Sequence, residues 1–507
     1  MPMSVTTRPS APQALIAPVT AALAVGTVVL ALLFLPEGRA AVGVWLASTA
    51  YGHCFLVLPM AMYLAWDRRE SVRGIAARPT LAYAPLILPV MAAWFVAERL
   101  GIMEGRQLAA IGALEVLFLS LLGRRLFTAL SGPLLYLFFL VPFGAFITPA
   151  LQQFTAGFIA VGLHVLGIPA YVTDLTIEIS AGTFFVAEAC AGLRFLIAAV
   201  AFGVFYALLN YRSPKRRVVF IAASVIVPIL ANGMRALGIV VLGNILGSAE
   251  AAAADHIIYG WGFFSVVMLL LVAAGMPWRQ HPAEAPAAVP GRASASGAAA
   301  LWPAVAVCAL AAAGPAAAAA LNQRIVPAVM AVVPALAAPR GCVAGPETPP
   351  TGGVAVRHFR CAEGALTVTL TVLPLHAPPD QLQRERLRLT VPAGADDTSI
   401  SVLRGVDTGS GQWSLIESRE PDLLVAAAVW VGGQPAQGGL AGRITLARDS
   451  LLQVTRVPLL MTVAADGPTT MTEVERRRAR ELVQQFVAAQ SGLTAAVAAA
   501  TRVAADH

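Results

Sequence analysis

Charged residues are scarce in this chain. Only 12% of its 507 residues are Asp, Glu, Lys or Arg, and Lys215 is the single lysine, whereas 58% are hydrophobic and the mean hydropathy is +0.73. Apolar runs of about 20 residues, the length that a helix needs to cross a bilayer, recur through the first two thirds of the chain. A soluble core cannot absorb this much apolar surface, so the composition predicts an all-α polytopic membrane protein.

Cysteine is also rare, and its spacing excludes one class of site. The five cysteines show no metal-ligand spacing such as C-x-x-C, so we expect no metal and no other cofactor. The basic residues stand in short clusters between apolar runs, which is typical of topology signals in a lipid bilayer. We therefore expect no nucleic-acid partner.

Nine apolar runs are long enough to span a membrane: residues 13–35, 43–66, 80–97, 107–122, 126–147, 190–209, 217–246, 257–276 and 300–320. Eight form the core of a membrane domain, residues 1–276. A Pro- and Ala-rich cytoplasmic linker, residues 277–299, separates them from the ninth. No small-residue cleavage site follows the first run, so we interpret it as a retained anchor.

The basic clusters predict the orientation of these spans. They comprise Arg68, Arg69, Arg73 and Arg78, then Arg124 and Arg125, then Arg212, Lys215, Arg216 and Arg217. The positive-inside rule assigns all three clusters to the cytoplasm. Counting helices then places the N-terminus inside and residues 321–507 outside.

Residues 150–168 would disturb this alternation if they formed a span, so we predict a helix on the outer surface. Its apolar stripe is Leu151, Phe154, Phe158, Val161 and Val165, and Gln152, Gln153, Thr155 and His164 lie off the stripe. Residues 175–186 alternate with period two around Ala181-Gly182, which predicts a hairpin leading directly to Cys190.

Cys190 is the most informative residue of the membrane domain. It lies in Glu188-Ala-Cys190-Ala-Gly-Leu-Arg194, at the outer end of the sixth span, with Arg194 on the same helix face. Ionisable groups at this depth are costly and indicate function. A cysteine nucleophile whose thiolate is stabilised by a cation is one explanation, and a small apolar cysteine beside a helix-end arginine is the other.

Two further polar residues reach the same outer face from the next two helices. Arg235 follows the start of the seventh span by about 18 residues, roughly 27 Å along a helix axis, and His256 opens the eighth span. We predict that Cys190, Arg235 and His256 form the catalytic site, with His256 as base and Arg235 as oxyanion-stabilising cation. Arg194, Asn232 and Glu188 are supporting residues, although Glu188 is equally consistent with a solvated charge.

The pattern resembles the exosortases, of the exosortase and archaeosortase family of membrane cysteine proteases or transpeptidases. The resemblance covers about residues 20–276 and rests on Val186-Ala-Glu-Ala-Cys190-Ala-Gly-Leu-Arg194, Asn232-Gly-Met-Arg235, and His256 with Gly260-Trp261. Ala191 and Ile257 depart from the Ser and Asp that are frequent at these two places in the family.

The resemblance implies a function. It implies that Cys190 is the nucleophile, that Arg235 and His256 complete the site, and that the partners are exported, membrane-anchored proteins with a C-terminal short motif, transmembrane helix and basic tail. The expected location is a bacterial inner membrane, with the active site on the periplasmic side. The acceptor nucleophile, water or an amine, is left open.

Residues 321–507 are predicted to form a small extracytoplasmic α+β domain. Leu366–Val372 and residues 423–431 read as strands, and Thr472 with Glu475 as a capping box before a final helix. The domain faintly resembles the exosortase-associated periplasmic domain, and its expected role is substrate handling or partner docking. Cys342 and Cys361 form either a disulfide or two free thiols.

A different class of function would explain the same ionisable residues as part of a transport or scaffold component of exopolysaccharide or surface-polymer assembly. A transporter predicts polar groups near the bilayer midplane and an internal repeat. In the sequence we identify polar residues clustered at one face and no repeat, which favours the peptidase.

Overall fold

The computed structural model describes most of the chain: residues 13–247, 256–280, 297–323, 330, 332–346, 349–362, 364–374, 379–390, 398–403, 413–419, 422–436, 439–451, 456–467 and 470–502. It divides into two compact units. The first comprises residues 1–91 and 106–312 and is mainly helical. The second comprises residues 92–105 and 313–507 and is rich in strands.

The helices up to residue 322 are α1 Gln13–Leu33, α2 Leu35–Ala47, α3 Cys54–Asp67, α4 Arg69–Val72, α5 Ile87–Arg99, α6 Met103–Ala129, α7 Ser131–Tyr136, α8 Thr148–Val165, α9 Leu193–Asn210, α10 Pro214–Leu246, α11 His256–Gly275, α12 Gly297–Ala311 and α13 Ala313–Asn322. Among the described residues, six helical segments are long and apolar enough to cross a membrane, or seven if a bent pair counts as one span. This confirms a multi-pass membrane protein. It does not reproduce the nine predicted spans one by one.

Two predicted spans are broken. The predicted span at residues 43–66 is divided between α2, which ends at Ala47, and α3, which begins at Cys54. Before it, Pro18–Leu33 and Leu35–Ala47 meet at an angle of 77°, where Pro36 in the first turn of α2 lacks the N–H that a continuous helix would use. The predicted span at residues 126–147 contains only the short apolar helix Ser131–Leu140. Gly123, with φ of +74°, interrupts α6 close to the predicted boundary between the fourth and fifth spans.

The prediction of a surface helix at residues 150–168 is not supported, because Ala145–Val165 is long and apolar enough to cross a membrane. The predicted buried face also differs from the observed one. Helix α8 packs lengthwise and in parallel on the C-terminal half of α10, with Thr155 beside Asn232 and Gly162 beside Leu237. Its buried face contains Gln152 and Thr155, whereas three of the five residues of the predicted stripe are exposed, Phe154 (42%), Val161 (66%) and Val165 (78%). Leu151 of the stripe is buried, and Phe158 is half-buried. A helix with lipid outside gains little by burying apolar residues, so polar groups take the protein-facing side.

The predicted hairpin is present and has a third strand. Strands β1 (Ala170–Thr173), β2 (Thr176–Ile179) and β3 (Gly182–Phe185) form an antiparallel sheet in the order β1-β2-β3. Ile177 is fully buried against α8 and α10. The carbonyl of Val186 accepts a hydrogen bond from Gln152 Nε2 at 2.9 Å. The sheet is therefore fixed to α8 just before the chain reaches Cys190.

The strand-rich unit is built on one antiparallel sheet. Its strands are β4 Cys342–Ala344, β5 Val354–Cys361, β6 Gly364–Val372, β7 Thr398–Val402, β8 Ser414–Arg419, β9 Asp422–Val431, β10 Gln434–Pro435 and β11 Leu459–Asp466. The order is β4-β5-β6-β11-β9-β8-β7, and β10 pairs with β9. Four helices accompany these strands. Helices α14 Pro379–Thr390 and α15 Gly439–Leu451 lie between strands in the chain, and α16 Glu473–Ala489 and α17 Leu493–Ala500 come after the last strand.

The two strands and the final helix predicted for this unit are confirmed. In β6 the side chains of Leu366, Val368 and Leu370 are fully buried, as the alternating pattern requires, and Phe486 of α16 packs into the same core. Thr472 and Glu475 form a capping box at the start of α16. Cys342 and Cys361 face each other across β4 and β5 and are joined by a disulfide.

Candidate functional site

Cys190 lies in a 3₁₀ turn, Glu188–Ala191, immediately before α9. Its backbone N–H donates to the carbonyl of Ala187 at 2.9 Å. Gly192 then adopts a left-handed conformation with φ of +77°, and a Cβ at this position would lie 2.5 Å from Cγ of Asn232. Only glycine fits both constraints, so the turn that presents the half-buried thiol is pressed directly against α10.

Asn232 of α10 is the side chain that connects this turn to its surroundings. It is 3% exposed. Its Nδ2 donates to the backbone carbonyl of Cys190 at 2.8 Å and lies 3.5 Å from Oγ1 of Thr155. Its Oδ1 accepts from Nη2 of Arg235 at 3.4 Å. One buried amide therefore contacts the Cys190 turn, α8 and the predicted cationic residue.

Two arginines flank one aromatic ring at the start of α9. The guanidinium carbon of Arg235 lies 5.8 Å from the ring centroid of Phe195, and that of Arg194 lies 5.4 Å from the same centroid. Arg235 is 5% exposed. Two guanidinium groups therefore lie close to the start of α9, directly after the Cys190 turn. The structure thus places Arg194 and Arg235 on the same ring.

The eighth predicted span approaches this ring as well. Phe264 of α11 stacks on Phe195 with ring centroids 4.2 Å apart. His256 is the first residue of α11. Its side chain, with those of Asp255, Gly260 and Trp261, lies outside the described residues, so the predicted base remains a prediction. Glu188 is exposed at the start of the 3₁₀ turn.

Three residues near the site were not predicted from the sequence. Gln152 and Thr155 line the site from α8, and Phe195 carries the two guanidinium contacts. The signal for the α8 pair was available: two polar residues three apart in an apolar helix mark its protein-facing side when lipid is outside. Phe195 gave no such signal, because phenylalanines are frequent in membrane spans.

The other two free cysteines have different surroundings. Cys54 is 1% exposed, and its thiol donates to the carbonyl of Phe139 at 3.4 Å, although Nε2 of His53 lies 3.8 Å away. A buried thiol that donates to a carbonyl is held protonated and behaves as a small apolar residue. Cys308 lies within helix α12 with its sulfur 3.8 Å from the carbonyl of Gly26. Among the free thiols, Cys190 alone lies in a turn.

These features define a multi-pass membrane protein with a cysteine, an asparagine and an arginine joined at one site. Residues 45–273 match the family model described as Transmembrane exosortase (Exosortase_EpsH). This match supports an exosortase family assignment for this region and confirms the resemblance seen in the sequence. No curated protein sequence and no solved structure matches the chain. The match includes Cys190, Asn232, Arg235 and His256, and it ends before β4, the first strand of the large sheet.

Proposed function

We propose that this exosortase is a membrane cysteine peptidase or transpeptidase that removes the C-terminal sorting signal of exported proteins. The observation that carries the proposal is the buried bridge from the Cys190 carbonyl through Asn232 to Arg235. A buried amide holding both groups at once is costly to maintain unless their relative position matters. The family assignment supports the same chemistry, since exosortases are in general a membrane cysteine peptidase family.

The reaction would be acyl transfer. The thiol proton of Cys190 passes to the imidazole of His256, and the sulfur forms a bond to the carbonyl carbon of the sorting motif. The carbonyl electron pair moves to oxygen, where the guanidinium of Arg235 stabilises the negative charge. Collapse of this intermediate breaks the C–N bond, and the leaving amine takes the proton from His256. Water or an acceptor amine then attacks the thioester and releases Cys190.

Asn232 would act as a positioning residue. It contacts the backbone of Cys190 and the side chain of Arg235, but the reaction does not require it to exchange a proton. Gly192 makes this contact possible, because any larger residue would separate the turn from α10. Both residues would therefore determine how far the thiol lies from the cation.

The location follows from the same proposal. A bacterial inner membrane, with the site near its periplasmic face, would let the bilayer position the transmembrane helix of the substrate beside Cys190. The strand-rich unit would then lie on the periplasmic side and handle substrates or dock a partner. Its disulfide between Cys342 and Cys361 is consistent with an oxidising compartment.

The test is co-expression with a substrate that carries a short motif, a transmembrane helix and a basic tail, chosen from proteins of the same genome that share such tails. Processing is followed by the mass of the substrate. We expect the wild type to cleave it and Cys190→Ala, Arg235→Ala and His256→Ala to leave it intact. Cys308→Ala is the matched control, a second half-buried free thiol that should not matter. Normal processing by Cys190→Ala would exclude the mechanism.

One observation favours the alternative of a transport component in surface-polymer assembly. Contrary to the sequence interpretation, a polar residue does lie at the middle of a span: Glu115 of α6 is 7% exposed, and neither carboxylate oxygen has a hydrogen-bond partner among the described residues. Such a group is typical of ion and substrate pathways. The alternative predicts that Glu115→Gln abolishes function while Cys190→Ala preserves it.

A further inference from the structure

Five arginines lie at the ends of helices on one side of the membrane domain. Arg68 ends α3, Arg212 lies between α9 and α10, Arg216 and Arg217 are in the first turn of α10, and Arg279 follows α11. We call these residues the helix-end arginine cluster. In the sequence, most of them were only an orientation signal. The structure shows how they are held.

Main-chain and amide oxygens fix four of these side chains. Arg68 Nη1 donates to the carbonyl of Ala129 at 3.3 Å, and Arg217 Nε donates to that of Tyr211 at 2.7 Å. Arg216 and Arg279 bond in the same way to the carbonyl of Trp278 and to Oδ1 of Asn210. Each bond uses one of the five N–H groups of a guanidinium. The bonds therefore orient the cations and leave further donors for a ligand.

The cluster carries uncompensated positive charge. The ion pairs of the described residues include none of the five arginines, whereas Arg69 and Arg73 in the neighbouring loop both pair with Glu70. Burial and the charges of Arg217 and Arg212 lower the pKa of Arg68, and only Asp67 opposes them. Arg68 and Arg217 are half-buried, and an anion bound beside them would offset the repulsion between these like charges.

The surroundings of the cluster identify the source of that anion. Trp66 and Trp278 adjoin the arginines and are exposed by 64% and 48%. Exposed tryptophans at the ends of apolar helices are typical of the depth of lipid headgroups. The guanidinium carbon of Arg69 lies 4.5 Å from the ring centroid of Trp66, so a cation and an exposed aromatic ring lie at the same depth. A phosphate at this depth belongs to a phospholipid.

We propose that Arg68, Arg212 and Arg217 form a binding site for the phosphate of an anionic phospholipid. Guanidinium groups suit this ligand because their N–H groups bind phosphate oxygens in pairs. The acyl chains would lie along the exposed apolar surface of α10, where Val218 is 66% exposed. A basic site between helix ends is a recognised way to hold a lipid headgroup. The proposal does not depend on the peptidase reaction.

The experiment uses the full chain purified in neutral detergent and supplied with phosphatidylglycerol, with phosphatidylcholine, or with inorganic phosphate at the same concentration. Native mass spectrometry counts bound lipid, and thermal unfolding measures stabilisation. We expect wild type to bind phosphatidylglycerol and to be stabilised by it more than by the other two. Arg68→Gln and Arg217→Gln should each weaken binding about fivefold, the effect of removing one arginine near a charged lipid surface.

Arg73→Gln is the matched control, because Arg73 is 77% exposed and is already paired with Glu70 at 2.8 Å. Its lipid binding should equal that of wild type. Arg212→Gln covers the case in which the half-buried variants fail to insert, since the Arg212 side chain is exposed. Equal binding by wild type and Arg212→Gln would overturn the site. Equal stabilisation by inorganic phosphate would show that the site binds a free phosphate ion, and it would contradict the proposal of a phospholipid ligand.

Discussion

The two parts of the chain leave different kinds of side chain exposed. In the membrane domain Asn232, Gln152 and Thr155 are buried, while Leu46 and Val165 are 75% and 78% exposed. In the strand-rich unit Trp430 and Phe486 are fully buried. Its charged side chains lie partly at the surface, as in the pair between Arg480 and Glu417, and partly inside, as in the pair between Arg476 and Asp422.

This difference reflects the solvent that surrounds each part. Water makes the burial of apolar area favourable, by about 25 cal/mol for each Å², so the strand-rich unit collects its large apolar residues inside. Lipid gives no comparable gain, so helices in a membrane associate through close packing and hydrogen bonds. The candidate site uses this second principle: its buried groups are polar because polar contacts are what hold the helices together there.

The same substitution should therefore have very different effects in the two parts. Phe486→Ala removes a fully buried ring that contacts Phe359, with ring centroids 5.4 Å apart, in the core of the strand-rich unit. We expect a loss of about 3 to 5 kcal/mol in its free energy of unfolding. Phe146→Ala, at a position 68% exposed in the membrane domain, should change stability by less than about 0.5 kcal/mol.

Calorimetry of the full chain in detergent measures both variants. Two transitions, of which Phe486→Ala shifts one only, would support separate cores. Equal destabilisation by both substitutions would show that the exposed apolar surface of the membrane domain is in fact buried against something.

Removing a buried polar group of the membrane domain should have the next largest effect. Asn232→Leu keeps the size of the side chain but leaves the carbonyl of Cys190 and the guanidinium of Arg235 without this amide. We expect a loss of about 1 to 3 kcal/mol in stability and a marked loss of substrate processing. Asn244→Leu, the same change further along α10, is the control, because Asn244 makes only an exposed contact with Ser180.

A variant Asn232→Leu that processes substrate like wild type would separate Asn232 from the reaction. In that case the amide would serve packing alone. Unfolding and processing must both be measured, because a purely structural role would lower stability without reducing the activity of the remaining folded protein.

The sequence predicted the strand-rich unit better than the interior of the membrane domain. The alternation at Leu366–Val372 and the capping box at Thr472 are local patterns that depend on water outside, and both were read correctly. The buried face of α8 was misread because the same rule was applied where lipid is outside. Strand β1 was missed, although it is as long as β2 and β3, which the alternation around Ala181-Gly182 had indicated.

Individual contacts between residues far apart in the chain could not be predicted from the sequence. Asn232 bonds to Cys190 across 42 positions, and the need for glycine at 192 arises from that contact. The pairing of Cys342 with Cys361 likewise depends on the register of β4 and β5. Convergence of Cys190 and Arg235 on one region was predicted from topology, but the residue that joins them was given only a supporting role.

A smaller effect is expected at the surface of the strand-rich unit. Hydrogen bonds from the side chain and backbone of Thr472 lower the pKa of Glu475. The stabilisation is therefore complete above the pKa of a glutamate in the unfolded chain, about 4.3, and is lost as the pH falls through the lower pKa of the folded state. Thr472→Ala should cost about 1 kcal/mol at neutral pH and reduce this acid-dependent loss.

Urea unfolding between about pH 3 and pH 7 checks this prediction. Glu481→Gln, an exposed change on the same helix, should preserve the wild-type pH profile. A Thr472→Ala profile parallel to wild type would mean that Glu475 keeps its environment without the capping box.

Glu115 differs from Asn232 of the candidate site, since it is buried and polar but has no hydrogen-bond partner among the described residues. An ionised carboxylate in this setting would be far more costly than a neutral acid, so it should carry its proton. Glu115→Gln, also neutral and of similar shape, should therefore process substrate within about twofold of wild type, which is under about 0.5 kcal/mol. The rate of tail removal in membranes measures it. If the Glu115→Gln variant inserts normally but no longer functions, Glu115 must transfer a proton or bind an ion. That result would favour the transport function over a peptidase reaction at Cys190.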